Sequence, residues 1–141
     1  MNEEDLKQRL KDRNLRITAN RLGVLKEINS FPVAISHSRL QHVLKSRDRV
    51  SLYRTINSLI EGGLIHKVSA SGQENYYALC EETCQAEKHQ HKHIHFECDS
   101  CREIYCLPLQ QEWSLDTGNF KLKSFEVLAT GICEDCVSRA L

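Results

Sequence analysis

The sequence predicts an α+β chain: an N-terminal winged helix-turn-helix followed by a half held together by a four-cysteine zinc site. Three observations predict it. Apolar residues recur at helical spacing through four successive segments ahead of Gly62-Gly63. After that glycine pair come two short strand-like runs around a Ser/Gly turn. Further on lie two Cys-x-x-Cys pairs separated by 31 residues.

The elements follow in order. Leu6 and Leu10, four apart among charged residues, predict a first helix. Thr18 is placed to cap a second, with Leu22, Leu25 and Ile28 on its inner face. Ser36 is placed to cap a third, whose buried stripe is Leu40, Val43 and Leu44. Ser51 is expected to cap a fourth, stopped by Gly62-Gly63. Leu52, Ile56, Leu59 and Ile60 share one face of it, which leaves Tyr53, Arg54, Asn57, Ser58 and Glu61 outward. Such a face suits a DNA major groove: Arg grips guanine or phosphate, Asn pairs with adenine, and Tyr meets backbone or a thymine methyl. Residues 64–68 and 75–79 read as strands joined by Ser69-Ala70-Ser71-Gly72, a hairpin that forms the wing.

Charge divides as the elements do. The net charge is zero, yet residues 1–72 hold 13 Lys/Arg against 7 Asp/Glu, and residues 73–141 hold 6 against 12. A basic half fits contact with phosphates. No apolar run approaches a membrane span, and the charged start MNEEDLKQRL lacks the apolar stretch of a secretion signal. A cytoplasmic protein without membrane partners is expected.

All seven cysteines fall between Cys80 and Cys136. In a reducing compartment such thiols bind metal more readily than they pair. Cys98, Cys101, Cys133 and Cys136 can place four thiolates around a tetrahedral zinc, a closed site that stabilises and does not catalyse. A dithiol redox pair is the competing reading of one such motif; two favour zinc. A second donor group begins at Cys84 and includes Glu87 and the alternating His89, His91, His93 and His95. An extended backbone directs those four imidazoles to one side, where they suit zinc or ferrous iron. Cys80 and Cys106 read either as buried apolar residues or as ligands.

These residues together resemble the ferric uptake regulator (Fur) family of bacterial metalloregulators over nearly the full chain. The resemblance rests on Leu15-Arg16-Ile17-Thr18-Ala19-Asn20-Arg21, Val50-Ser51-Leu52-Tyr53-Arg54-Thr55-Ile56-Asn57-Ser58-Leu59 and Gly63-Leu64-Ile65. It continues through His91-Lys92-His93-Ile94-His95-Phe96-Glu97-Cys98-x-x-Cys101 and Gly131-Ile132-Cys133-x-x-Cys136. It implies a homodimer with a winged-helix domain over 1–80, a hinge over 81–92 and an α/β dimerisation and metal-binding domain over 93–141. It places Arg16 at the minor groove and Tyr53 and Arg54 in the major groove of double-stranded operator DNA with inverted repeats. Thr18, Arg21, Ser51, Asn57 and Ser58 accompany them in the matching motifs.

The resemblance also implies a regulatory metal at the hinge. The family's ligands fall on His93 and His95, and zinc-type members add positions matching His91 and Cys84. Departures are visible. The family's acidic ligand at the end of the wing falls near Ala78, with Gln73, Glu74 or Glu87 as substitutes, and a second acidic ligand is replaced by Cys106. A histidine before the third helix is absent, although His37 lies close by. Glu112 and Trp113 stand near a further acidic position. Thiol in place of carboxylate softens the site, so the expected cofactors are a structural zinc and a regulatory divalent ion, zinc before iron. The expected function is a metal-dependent repressor, not an enzyme. A zinc-dependent hydrolase and a zinc-stapled protein-interaction adaptor are the alternatives; no His-Glu-x-x-His motif is present to support the former.

Overall fold

The structure, a computed structural model, describes residues 1–45, 48–68, 70–80, 93–108, 110, 114–122 and 127–140, with the backbone alone of His93. Four helices come first: α1 (Glu3–Asp12), α2 (Ala19–Asn29), α3 (His37–Val43) and α4 (Arg49–Glu61). Asn2 and Asp5 close a capping box at the start of α1. Thr18 and Ser36 cap α2 and α3 as expected, each accepting from a backbone N–H three residues on. The cap of α4 differs from the expectation: Asp48, not Ser51, is the N-cap. Ser51 is its partner instead, donating its backbone N–H to Asp48 Oδ1 at 2.7 Å and its hydroxyl to Oδ2 at 2.8 Å. A carboxylate accepts both bonds and complements the helix dipole, which a neutral hydroxyl at position 51 does less well.

Both α1 and α4 end in the same hydrogen-bonded turn. Leu15 N–H returns to Leu10 O at 2.9 Å, and Leu64 N–H returns to Leu59 O at 3.0 Å. The left-handed residues are Asn14 (φ 57°) and Gly63 (φ 73°). The two turns meet: a Cβ on Gly62 would lie 2.6 Å from Leu15 Cδ1.

The hairpin follows as β2 (Ile65–Val68) and β3 (Tyr76–Leu79). A short β1 (Ile35–Ser36), not foreseen, adds to the other edge of β3, giving the order β1-β3-β2. Leu6, Leu10, Leu25, Leu40, Leu52, Ile56, Leu59, Ile65 and Tyr77 belong to one apolar core under this sheet. Leu44 joins them, but Val43 does not; it is 43% exposed, because α3 ends there and the chain turns before its stripe can continue.

The second sheet contains β4 (His93–Cys98), β5 (Ile104–Pro108) and β6 (Leu128–Gly131), with β4 central. β5 is antiparallel to β4, and β6 is parallel to it. α5 (Glu134–Ala140) follows. Residues paired across a ladder share a face. His95 with Cys106 and Glu97 with Ile104 therefore face one side, and Phe96 with Tyr105 the other. The first side meets the winged half: Ala34 N–H donates to Ile104 O at 2.8 Å, and Ala34, Val68 and Ile104 pack together. No helix among the described residues is long and apolar enough to cross a membrane.

Candidate metal centres and nucleic-acid interface

Cys98 ends the central strand β4, and Cys101 lies in the turn after it. Cys133 precedes α5, and Cys136 lies one turn inside it. One ligand atom from each of the four lies within 4.8 Å of the others. Backbone N–H groups of Cys101 (3.5 Å) and Cys133 (3.3 Å) point at the Cys98 sulfur and pull its thiol down to about 6. The Cys133 thiol is lowered as well, by the Cys136 N–H and the Tyr105 hydroxyl. Backbone donors aimed at sulfur favour thiolate, the form that binds metal.

A second donor cluster spans the two halves. His66 on β2, His95 on β4 and Cys106 on β5 present ligand atoms within 4.8 Å of one another. The imidazoles stack at 5.6 Å and 11°. Cys106 Sγ lies 4.0 Å from His66 Nε2, and Cys80 Sγ lies 3.6 Å from Nδ1 on the other edge of that ring. Cys80 is buried and fixed at both backbone ends: its N–H donates to Leu64 O at 2.9 Å, and its carbonyl accepts from Arg9 Nη2 at 2.8 Å. Cys106 is exposed on one flank, yet burial among its neighbours pushes its thiol up to about 11. A cleft of about 300 Å³ opens beside it, lined in part by Phe31, Ala34, Ala78 and Leu79.

His66 is the site residue that sequence reasoning missed. The hairpin register supplies the signal: His66 pairs directly with Ala78, where an acidic ligand was expected. That pairing puts an imidazole directly across from Ala78, on the same side of the sheet. The substitutes considered for Ala78 are engaged elsewhere or not described. The Glu74 carboxylate accepts from the Ser38 backbone N–H at 2.9 Å and from the Ser38 hydroxyl, which hold it below the usual carboxylate range. Gln73 is exposed in the turn. Position 37 is no closer to a ligand role: His37 Nδ1 lies 3.2 Å from the Tyr77 hydroxyl. The expected ligands Cys84, Glu87, His89 and His91 lie outside the described residues, as do Glu112, Trp113 and the side chain of His93.

On α4, Tyr53 is 61% exposed and Arg54 is exposed beside it. Arg16, in the loop before α2, is also exposed. Asn57 is half-buried. The other candidate nucleic-acid residues make internal bonds. Arg21 donates to Arg16 O at 2.7 Å and to Ser58 Oγ at 3.3 Å, tying the Arg16 loop to α4. Ser58 donates to Thr55 O at 2.8 Å, and Thr18 accepts from Arg21 N–H at 3.2 Å as its helix cap.

A winged head joined to a sheet that carries thiol and imidazole clusters defines a metal-responsive regulator. The ferric uptake regulator family model matches residues 12–130, and the chain belongs to that family. It is a metal-dependent transcriptional regulator. It is 30% identical to the zinc uptake regulation protein of Escherichia coli, over 89% of this chain and 75% of that one. It is 27% identical to the transcriptional regulator FurA of Mycobacterium tuberculosis, over 94% and 90%. Its fold is similar to that of a zinc uptake regulator complexed with zinc and DNA, at a TM-score of 0.69 and 24% identity, covering 98% of this chain and 94% of that one.

Proposed function

We propose that the protein is a homodimeric, cytoplasmic repressor that grips inverted-repeat operator DNA when a divalent ion, zinc in preference to iron, sits at His66, His95 and Cys106. One observation carries this reading: those three donors converge from β2 on one side and from β4 and β5 on the other. Residues 1–80 form the reading head, 81–92 the hinge and 93–141 the dimerisation domain.

Cys98, Cys101, Cys133 and Cys136 hold a structural zinc, a set of four sulfurs that leaves no open position. At the hinge, His66, His95 and Cys106 would hold the regulatory ion, and the donor-rich run Cys84, Glu87, His89, His91 and His93 would complete the set. A thiol where a carboxylate was expected makes the set soft and favours zinc. Held by His66, His95 and Cys106, an ion would tie β2 to the β4–β5 pair. His66 then fixes the hairpin, and the hairpin fixes α4 through the shared core. In the dimer this sets two heads at the spacing of two half-sites. Tyr53 and Arg54 enter the major groove, Asn57 lies beside them, and Arg16 reaches toward the minor groove. Thr18, Arg21, Ser51 and Ser58 shape that surface from within, through the bonds described above. Exposed Phe120, Leu115 and Leu122 in the second half suit burial against a partner subunit. No observation favours the hydrolase or adaptor alternatives.

A change of ~100-fold in DNA affinity requires the ion to prefer the closed arrangement by about 2.7 kcal/mol. Operator binding titrated anaerobically with Zn²⁺ and with Fe²⁺ tests the reading. Zinc is expected to drive binding at the lower free concentration. His66→Ala is expected to abolish the response and retain the structural zinc. A wild-type response in that variant would place the sensor elsewhere.

A further inference from the structure

Beside the hinge cluster lies a second bridge between the same two elements, made by side chains with no place among the ligands. Glu97 is a carboxylate only 4% exposed, on the central strand β4. Its Oε2 accepts the Ser71 backbone N–H at 2.9 Å, and its Oε1 accepts the Ser71 hydroxyl at 2.8 Å. Arg102 Nη2 lies 2.9 Å from the same Oε1 and donates to Ser71 Oγ at 3.3 Å. Ser71 belongs to the turn of the wing, five residues beyond His66. Arg102 directly follows the Cys98–Cys101 turn in a left-handed conformation, φ 65°. That is an uncommon backbone for a residue with a side chain, and here it accompanies a guanidinium turned back toward the wing.

We propose that Glu97, with Ser71 and Arg102, is a latch that positions the wing for metal capture, so that hinge metal affinity depends on a carboxylate that never touches the ion. The proposal rests on the reading of His66, His95 and Cys106 as the regulatory site. His95 and Glu97 are two residues apart on one strand and so share a face. His66 and Ser71 lie on the hairpin opposite. The contacts are two rungs between the same strand and the same hairpin; Val68, between His66 and Ser71 in sequence, shares an apolar cluster with Ile104, which pairs with Glu97. Closing one rung brings the partners of the other together, and states that form together share a coupling free energy. An ion bound to a wing without the latch must order the wing itself, and it binds less tightly by that amount. The latch also ties the wing to the Cys98–Cys101 turn, so the structural thiol site helps to define the regulatory one.

A purely structural role for Glu97 would move stability and leave metal affinity alone. The experiment therefore measures Zn²⁺ affinity at the hinge, by chelator competition, on full-length dimer that already holds one structural zinc per chain. Glu97→Gln keeps the shape but loses the charge and one acceptor; its hinge affinity is expected to fall about tenfold. Ser71→Ala removes the hydroxyl's bonds to Glu97 and Arg102 from an exposed turn but keeps the backbone bond to Oε2, and a fall of about threefold is expected. The double variant is expected to lose less than the product of the two, because both act on one contact. If Glu97→Gln lacks its structural zinc or fails to fold, Ser71→Ala alone decides. Affinity within experimental error of wild type in the deciding variant overturns the latch, provided that His66→Ala has lost hinge binding. If His66→Ala still binds as wild type, the regulatory site itself is misassigned, and the latch falls with it.

Discussion

The two halves of this chain reach order by different means. The winged half encloses a continuous apolar core in which Leu10, Val24, Leu40, Leu59 and Ile65 are wholly buried. Among the described residues of the second half, those buried are Glu97, Cys98, Ile104 and Cys133. Two of these four are sulfur donors, one is a carboxylate bonded to the wing, and one packs against the wing itself. Hydrophobic burial organises the first half; in the second, a four-cysteine cluster that could hold a metal and contacts with other surfaces take its place. The difference teaches where, on the proposed reading, sensitivity to metal resides. A head with its own core does not need an ion to fold, so the ion proposed at the hinge would act on the head's orientation. The sheet that receives the head is small, and two of the four buried residues in its half are sulfur donors.

The largest expected effect tests this division directly. Cys98 is the sulfur on which two backbone N–H groups converge, so Cys98→Ser removes the centre of the staple. The variant is expected to lose its bound zinc, its dimer and the ordered second half, while the head still melts cooperatively. Zinc content, sedimentation and a far-UV melt measure the three. A variant that keeps all of them refutes the staple. The converse substitution is Leu59→Ala, at a residue with no exposed surface. It is expected to cost the head about 3 kcal/mol and to leave zinc content unchanged. Loss of zinc in that variant would mean that the halves fold as one unit.

Much of this was legible in the sequence, and the failures share one physical origin. Helical stripes, the glycine stop after α4 and the hairpin are local, and local spacing specifies them. The caps Thr18 and Ser36 are local too. Ser51 fits a cap by residue type, and only the position of the helix start gives that place to Asp48. β1 is two residues long, and pairing with β3 forty residues away defines it, so no periodicity betrays it. His66 was missed for the same reason. Nothing next to it in sequence suggests a ligand; its role appears only when the register sets it opposite Ala78 and packing brings β2 to β4 and β5. The histidine-rich run announced metal by composition, and most of it lies outside the described residues; among those described, a wing residue, His66, stands beside His95. Ser58 reads as outward-facing and Arg21 as a DNA-contact position of the family motif, and the structure uses their polar groups to hold the Arg16 loop.

A smaller effect separates reading residues from supporting ones. Arg54→Ala, on the exposed face of α4, is expected to weaken zinc-loaded operator binding by about tenfold or more. Zinc content, dimerisation and melting temperature are expected to stay unchanged. Gel-shift titration at fixed salt measures it. If the dimer is lost, Arg54 serves the fold rather than the groove.

The smallest effect concerns the start of α4 and asks whether the head's stability is local or shared. Asp48 accepts two bonds from Ser51, and removing it exposes the first turn of the reading helix. Asp48→Ala is expected to lower the melting temperature of the head by a few degrees, and Ser51→Ala by less, because the latter keeps the backbone bond to Oδ1. Both variants should hold zinc as wild type does, since the apolar core and not the cap supports the hairpin that carries His66. The ranking matters more than the size. If Ser51→Ala proves the more damaging, then Ser51 governs the helix start after all. If either variant loses hinge metal affinity, the first turn of α4 is coupled to the wing, and the head is less self-sufficient than its core implies.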